Sequence, residues 1–138
     1  MKFLIILPLI LSSISNIYSC NFDNIPKPKF QPPGWVFSIV WSVIYLCFGM
    51  YMYLTFNEKN KLIYWIWSLN LIMNLLWSPL FTCYKQYKFA FYLMIILLLT
   101  NYMLFTLTNN KYAKLYMTPY IVWLHVALML NVEIIKMS

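Results

Sequence analysis

The chain has very few charged residues: only 9% of its 138 residues are Asp, Glu, Lys or Arg, whereas 63% are apolar. An ordinary soluble domain is roughly 25% charged, so this composition excludes a soluble globular domain and indicates an integral membrane protein. Arginine is absent, and the ten lysines lie mostly in pairs at the ends of apolar runs. Lysines so placed anchor a helix and contact membrane lipid. The net charge of +7 therefore does not indicate a nucleic-acid partner.

Residues suited to catalysis or metal binding are also scarce. The acidic residues are Asp23, Glu58 and Glu133, none of them within the three central apolar runs, and His125 is the only histidine. A proton-coupled multidrug exporter is expected to bury a carboxylate near mid-membrane, so that class is disfavoured. The sequence contains no nucleophile with an evident base, no metal-ligand cluster and no phosphate-binding loop. We therefore expect no metal and no required cofactor.

Glycine and cysteine are also scarce. Gly34 and Gly49 are the only glycines, so there is no GxxxG motif for helix dimerisation, and a homodimer is left open. Cys20, Cys47 and Cys83 have no metal-ligand spacing, and an odd number cannot form a complete disulfide framework. We expect the cysteines to carry no information about the redox compartment.

Long apolar runs bounded by lysines dominate the rest of the chain. The run from Trp35 to Phe56 has 22 residues without charge. At ~1.5 Å per residue it forms about 33 Å of helix, which matches a hydrocarbon core of roughly 30 Å. We predict an all-α integral membrane protein, a bundle of five transmembrane helices that forms one membrane domain over residues 1–138. The predicted helices are 3–19, 35–56, 62–84, 89–108 and 112–135.

The N-terminal run has two interpretations. Residues Met1 to Tyr18 contain one lysine, an apolar centre and a cluster of serines. This pattern is typical of a cleavable secretory signal, and a short first membrane helix has it too. The lysines do not decide the orientation, because five lie at each end of a five-helix bundle.

Four prolines stiffen the segment that joins the first two helices. Pro26, Pro28, Pro32 and Pro33 fix φ, remove backbone donors and push the preceding residues toward extended geometry. This segment therefore cannot be helical. We predict a stiff lid loop at the membrane surface over residues 20–34.

Polar and aromatic residues share one face of the helix predicted at 62–84. Spacings of three and four place Trp67, Asn70, Asn74, Trp77 and Phe81 on one stripe. An unpaired amide in hydrocarbon costs several kcal/mol, so both asparagines should face the bundle and bond either another helix or a ligand. Tryptophans on the same stripe favour a pocket.

Two other helices carry similar stripes, in which small residues leave room beside large aromatic rings. Walls of this kind would fit a flat apolar small molecule. His125 lies about 200° around its helix from Trp123 and should face a neighbouring helix or lipid headgroups. The stripes are Trp41, Tyr45 and Gly49 on one helix and Pro119, Trp123, Ala127 and Asn131 on the other.

Three motifs, in order and correctly spaced, carry a resemblance to a known family. From about Phe22 to Lys136 the chain resembles the translocator protein family, also called the tryptophan-rich sensory or peripheral benzodiazepine receptor family. The matching residues are Lys27-Pro28, Pro32-Pro33, Trp35, Trp41, Ile44-Tyr45 and Gly49 in the loop and second helix, Asn74, Trp77, Pro79 and Phe81 in the third helix, and Pro119-Tyr120, Trp123, Ala127 and Leu130-Asn131 in the fifth.

The resemblance implies a retained first helix and a lid loop folded over a pocket between the helices. Family members bind porphyrins, so the resemblance implies protoporphyrin or haem as a ligand of a carrier, sensor or scavenger. Together with the asparagine stripe, it gives a set of candidate ligand-binding residues. They are Pro32, Pro33, Trp41, Tyr45, Asn70, Asn74, Trp77, Ser78, Trp123 and Ala127.

The family also suggests two alternative functions. Some bacterial relatives are reported to degrade protoporphyrin in light, and in that case Trp41 and Trp123 would be the catalytic residues. A translocator-type protein that binds cholesterol is the other alternative, although Val132 and Lys136 stand where the family's sterol-associated segment has tyrosine and arginine. Family members occupy the mitochondrial outer membrane or bacterial envelope membranes, and this sequence does not distinguish them.

Overall fold

The part of the chain that the structure describes forms five α-helices, as the sequence predicts. The computed structural model describes residues 2–20, 29 and 34–137, so most of the predicted lid loop, including Pro32 and Pro33, lies outside the described residues. The helices are α1 Phe3–Ile17, α2 Gly34–Thr55, α3 Lys61–Thr82, α4 Tyr87–Leu107 and α5 Lys111–Met137.

Every helix differs from its predicted bounds by one or two residues at one or both ends, and local interactions account for two of these differences, in α3 and α5. Asn60 caps α3 by accepting from the Leu62 N–H at 3.1 Å. Asn110 accepts from the N–H groups of Tyr112 and Ala113, so α5 begins one residue earlier than predicted. At the other end of α3, Lys85 has a φ of 52°, a left-handed conformation that a helix cannot continue through. That helix therefore ends at Thr82 rather than at residue 84.

Three of the helices, α2, α4 and α5, are long and apolar enough to cross a membrane on their own. α1 is a shorter apolar helix of 15 residues. α3 has 22 residues, the same length as α2, but its two asparagines lower its hydropathy. α5 runs through Pro119 as one continuous helix.

The helices form a closed ring in which α1 packs on α2, α2 on α5, α5 on α4, α4 on α3 and α3 on α1. Because successive helices run in opposite directions, α1, α3 and α5 end where α2 and α4 begin. We call this the Cys20 end, and we call the opposite end, which holds the α2–α3 and α4–α5 connections, the Glu58 end.

Gly49 allows α1 to approach α2 closely. A Cβ atom at this position would overlap the backbone carbonyl groups of Leu4 and Ile5. The first helix is therefore an integral part of the ring. It packs so closely on α2 that only glycine fits at position 49.

One carboxylate joins the two connections at the Glu58 end. Glu58 Oε1 accepts from Thr108 Oγ1 at 2.9 Å and from the Asn109 N–H at 3.2 Å. Its other oxygen, Oε2, is buried and has no hydrogen-bond partner among the described residues. The carboxylate therefore fixes the end of α2 relative to the start of α5.

Candidate functional site

A continuous chain of side-chain hydrogen bonds crosses the middle of the bundle. Tyr45 Oη donates to Asn74 Oδ1 at 2.7 Å, and Asn74 Nδ2 donates to Tyr120 Oη at 2.5 Å. Tyr120 Oη then donates to Asn70 Oδ1 at 2.9 Å, and Asn70 Nδ2 donates to Thr100 Oγ1 at 2.7 Å. The chain therefore connects α2, α3, α5 and α4, and every donor in it points the same way.

The two asparagines are buried, as predicted, with 0% of Asn70 and 5% of Asn74 exposed. The side-chain amide of Asn70 forms all its hydrogen bonds with α4 and α5. Besides the bonds above, its Nδ2 lies 3.3 Å from the Leu97 carbonyl oxygen. Asn70 is therefore an interhelical residue rather than a wall of an open pocket. Asn74 sits one turn nearer the Cys20 end, between two phenol groups that belong to different helices.

Aromatic rings gather on the Cys20 side of this hydrogen-bonded chain. Trp41 stacks on Tyr45 with ring centroids 5.6 Å apart, and its ring meets Trp123 edge-on at 6.4 Å and Tyr120 edge-on at 6.3 Å. Phe37 also packs edge-on against Trp123, with ring centroids 5.4 Å apart. Trp41 thus joins the α2 stripe to the α5 stripe.

Several buried polar atoms on α3 and α5 lack partners among the described residues. The indole N–H groups of Trp77 and Trp123 are buried without an acceptor, and Asn131 Oδ1 is buried without a donor. The Asn131 amide nitrogen, in contrast, donates to the Tyr87 carbonyl oxygen at 3.1 Å. Buried polar groups are normally paired, so two free indole donors beside aromatic walls are what a site for an acceptor-bearing flat ligand would offer.

The remaining predicted site residues are in different surroundings. Ala127 is buried in the main core cluster with the α5 stripe. Ser78 Oγ lies 2.9 Å from Ser19 Oγ, so its hydroxyl joins α3 to the residues just after α1. Pro32 and Pro33 are outside the described residues, and their predicted role stays a prediction.

Two side chains outside the predicted set complete the hydrogen-bonded chain, Tyr120 and Thr100. Tyr120 is 1% exposed and bridges both asparagines. Its place one turn before Trp123 on the α5 stripe is a sequence signal that could have identified it. Thr100 lies beside Asn101 in the mostly apolar α4, and nothing in its spacing indicates its partner.

The structure bears out the predicted setting of His125 and corrects the interpretation of the cysteines. His125 is exposed on the surface of α5, and its Nε2 lies 2.7 Å from the Tyr102 hydroxyl of α4.

Cys20 and Cys83 form a disulfide, with Cα atoms 5.0 Å apart, and Cys47 is free. The expectation that the cysteines carry no information was wrong, because the spacing argument ignored which helix ends meet.

The site is electrically neutral. Its polar atoms are amides, phenols, indoles and a hydroxyl, and none of the predicted ligand-binding residues is ionised at neutral pH. Within residues 2–20, 29 and 34–137, no group of three or more His, Cys, Asp or Glu side chains could hold a metal ion. Such an arrangement can bind and orient a flat molecule, but it provides no strong acid or base.

The chain is similar to known proteins over most of its length. A family model described as the TspO/MBR family matches residues 4–137. Over 122 residues the chain is 27% identical to a tryptophan-rich sensory protein of Cereibacter sphaeroides, an alignment that covers 85% of this chain and 76% of that protein. It is 29% identical over 121 residues to the translocator protein of Ovis aries, covering 80% of this chain and 70% of that protein. Over 127 residues it is 25% identical to the protein CrtK of Rhodobacter capsulatus, covering 85% and 78%.

Proposed function

Because the chain belongs to the TspO/MBR family, we propose that this integral membrane protein binds porphyrins or similar flat apolar ligands between α2, α3 and α5. It acts as a carrier, sensor or scavenger of that ligand. The names of the relatives, translocator protein and tryptophan-rich sensory protein, favour a binding and signalling or transport role over a structural one.

The observation that carries the proposal is the pair of buried indole N–H groups on Trp77 and Trp123 that have no acceptor in the described part of the chain. A buried donor without a partner costs about 1–3 kcal/mol. A ligand with carboxylate or carbonyl oxygens would pair these donors and remove that cost. Porphyrins combine a flat apolar ring with such oxygens, whereas a sterol offers a single hydroxyl.

The aromatic contacts support a flat ligand in particular. The Trp41 ring is perpendicular to the Trp123 ring, with an interplanar angle of 90°, and stacks with Tyr45. Rings at these angles present both a face and an edge, the two geometries in which aromatic systems pack favourably. Asn74 is held in one orientation by its two phenol partners and forms a fixed polar edge beside these rings.

A titration of the detergent-purified protein with protoporphyrin tests the proposal. Binding is followed by the shift of the porphyrin's own absorption band, so that removing a tryptophan does not change the signal, and empty micelles correct for partitioning. We expect Asn74→Leu and Trp123→Phe each to weaken binding by about threefold or more, which corresponds to roughly 0.7 kcal/mol. Trp65→Phe is the matched control, because Trp65 is 67% exposed on the outer side of α3.

Equal affinity for the wild type, Asn74→Leu, Trp123→Phe and the Trp65→Phe control would refute this placement of the site. A wild-type affinity no greater than that of empty micelles would refute porphyrin binding altogether. The two results are distinct, because the first removes only the location.

Porphyrin degradation is the second candidate, and the edge-on contact of Trp41 with Trp123 at 6.4 Å favours it. Two indole rings this close to each other and to a bound porphyrin could take part in its oxidation by light and oxygen. The test compares loss of the porphyrin absorption bands in light and in darkness for the wild type and Trp41→Phe. Loss in light that is no faster than in empty micelles would exclude it.

A further inference from the structure

Polar links join the end of α1 to the last turns of α3 at the Cys20 end. Ser15 Oγ donates to the Leu75 carbonyl oxygen at 2.7 Å, and the hydroxyls of Ser19 and Ser78 are 2.9 Å apart. The Cys20 N–H donates to Thr82 Oγ1 at 3.0 Å. The Cys20–Cys83 disulfide adds a covalent link to this group, which we call the α1–α3 seam.

The disulfide joins two points that are 63 residues apart in the chain. It links α1 to α3, which are neighbours in the ring but are not consecutive in the chain. The hydrogen bonds of the seam hold together the chain segments that carry the two cysteines. The seam is thus a built site for a disulfide rather than a chance approach of two thiols.

We propose that the seam is oxidised in the functional protein and that the Cys20 end of the bundle therefore faces an oxidising compartment, with the Glu58 end on the reducing, cytosolic side. Disulfides form and persist in oxidising compartments and are kept reduced in the cytosol. Both cysteines lie at the same end of the ring, so one bond orients all five helices. The lysines, five at each end, leave this orientation open.

The bond forms by thiol–disulfide exchange with a disulfide-bearing oxidoreductase of that compartment. The thiolate of one cysteine attacks the oxidoreductase disulfide and makes a mixed disulfide. The second cysteine then displaces the oxidoreductase thiol. The two cysteines lose two protons and two electrons in total, and the oxidoreductase leaves as a dithiol. Cys47 takes no part, since it lies within α2.

Counting free thiols in the full-length protein tests the proposal. The chain is expressed in a bacterial inner membrane, the cells are quenched with acid, and free thiols are labelled with a polyethylene glycol maleimide that shifts the protein on a gel. We expect one labelled thiol before reduction and three after it. Cys47→Ser should show none before and two after, and Cys83→Ser should show two in both conditions. A host without its periplasmic thiol oxidase should yield three before reduction.

Sidedness is read from the Cys47→Ser protein with a membrane-impermeant phosphine reductant. We expect the reductant to release both thiols in spheroplasts, whose outer face is the periplasmic one, and neither in inverted vesicles. Two free thiols in untreated cells would overturn the proposal. Release only in inverted vesicles, or a disulfide-linked dimer on a non-reducing gel, would overturn it as well.

Discussion

Replacing Tyr120 by phenylalanine is the most direct test of the hydrogen-bonded chain. The substitution keeps the ring that packs edge-on against Phe48 at 5.3 Å and removes only the hydroxyl. That hydroxyl accepts from Asn74 and donates to Asn70, so two hydrogen bonds are lost at once. Both amide groups stay buried, and neither has another described partner for the atom that loses Tyr120.

The size of the effect follows from these losses. A side-chain hydrogen bond between membrane helices contributes about 0.6 kcal/mol on average, so two give about 1.2 kcal/mol. Stranding a buried polar atom costs about 1–3 kcal/mol. We therefore expect Tyr120→Phe to lower the free energy of unfolding by about 1–3 kcal/mol. Tyr45→Phe should cost about half as much, because Tyr45 makes only one bond, to Asn74.

Equilibrium unfolding in mixed micelles of increasing sodium dodecyl sulfate content measures these differences. Tyr102→Phe is the control, since it also removes a phenol from a hydrogen bond, but at the exposed Tyr102–His125 pair. A surface change of this kind should stay within about 0.5 kcal/mol of the wild type. The reasoning fails if Tyr120→Phe falls within that range too, or if Tyr102→Phe costs as much as Tyr120→Phe.

Three further changes test other parts of the structure. Gly49→Ala should push α1 away from the ring and lower the thermal midpoint of the purified protein, whereas Gly34→Ala, with open space around it, should not. Glu58→Ala should lower the free energy of unfolding by about 1–3 kcal/mol, since charge-assisted bonds are lost, whereas Glu133→Ala removes only an exposed 3.5 Å pair and should change it little. His125→Ala should leave protoporphyrin affinity unchanged, because His125 lies on the outer surface; weaker binding would place the site elsewhere.

The sequence predicts the helices and the inward faces well, because both follow from strong local physics. Apolar runs of membrane length can only be helices, and an amide such as Asn74 cannot face hydrocarbon without a partner. The same spacing places Trp41 and Trp123 on inward stripes, and the two rings do meet.

The partners of these residues could not be predicted, because periodicity gives the face of a helix but not its neighbour. Tyr120 reaches Asn70 and Asn74 only because α5 lies across the ring from α3. Cys20 reaches Cys83 only because α1 and α3 end side by side. Both facts depend on the order of the helices around the ring, which is a property of the whole chain.

The hydrogen-bonded chain has a consequence for biosynthesis. Asn70 and Asn74 take partners from α4 and α5, which leave the ribosome after α3. α3 also contains no membrane-length stretch as apolar as those in the three helices able to cross a membrane alone. Its amides therefore enter the bilayer before their hydrogen-bond partners Thr100 and Tyr120 have been synthesised. Until α5 is inserted, the insertion machinery or trapped water must provide hydrogen bonds to these amides. A nascent chain arrested before residue 120 would carry an unpaired amide in its third span, at a cost of several kcal/mol.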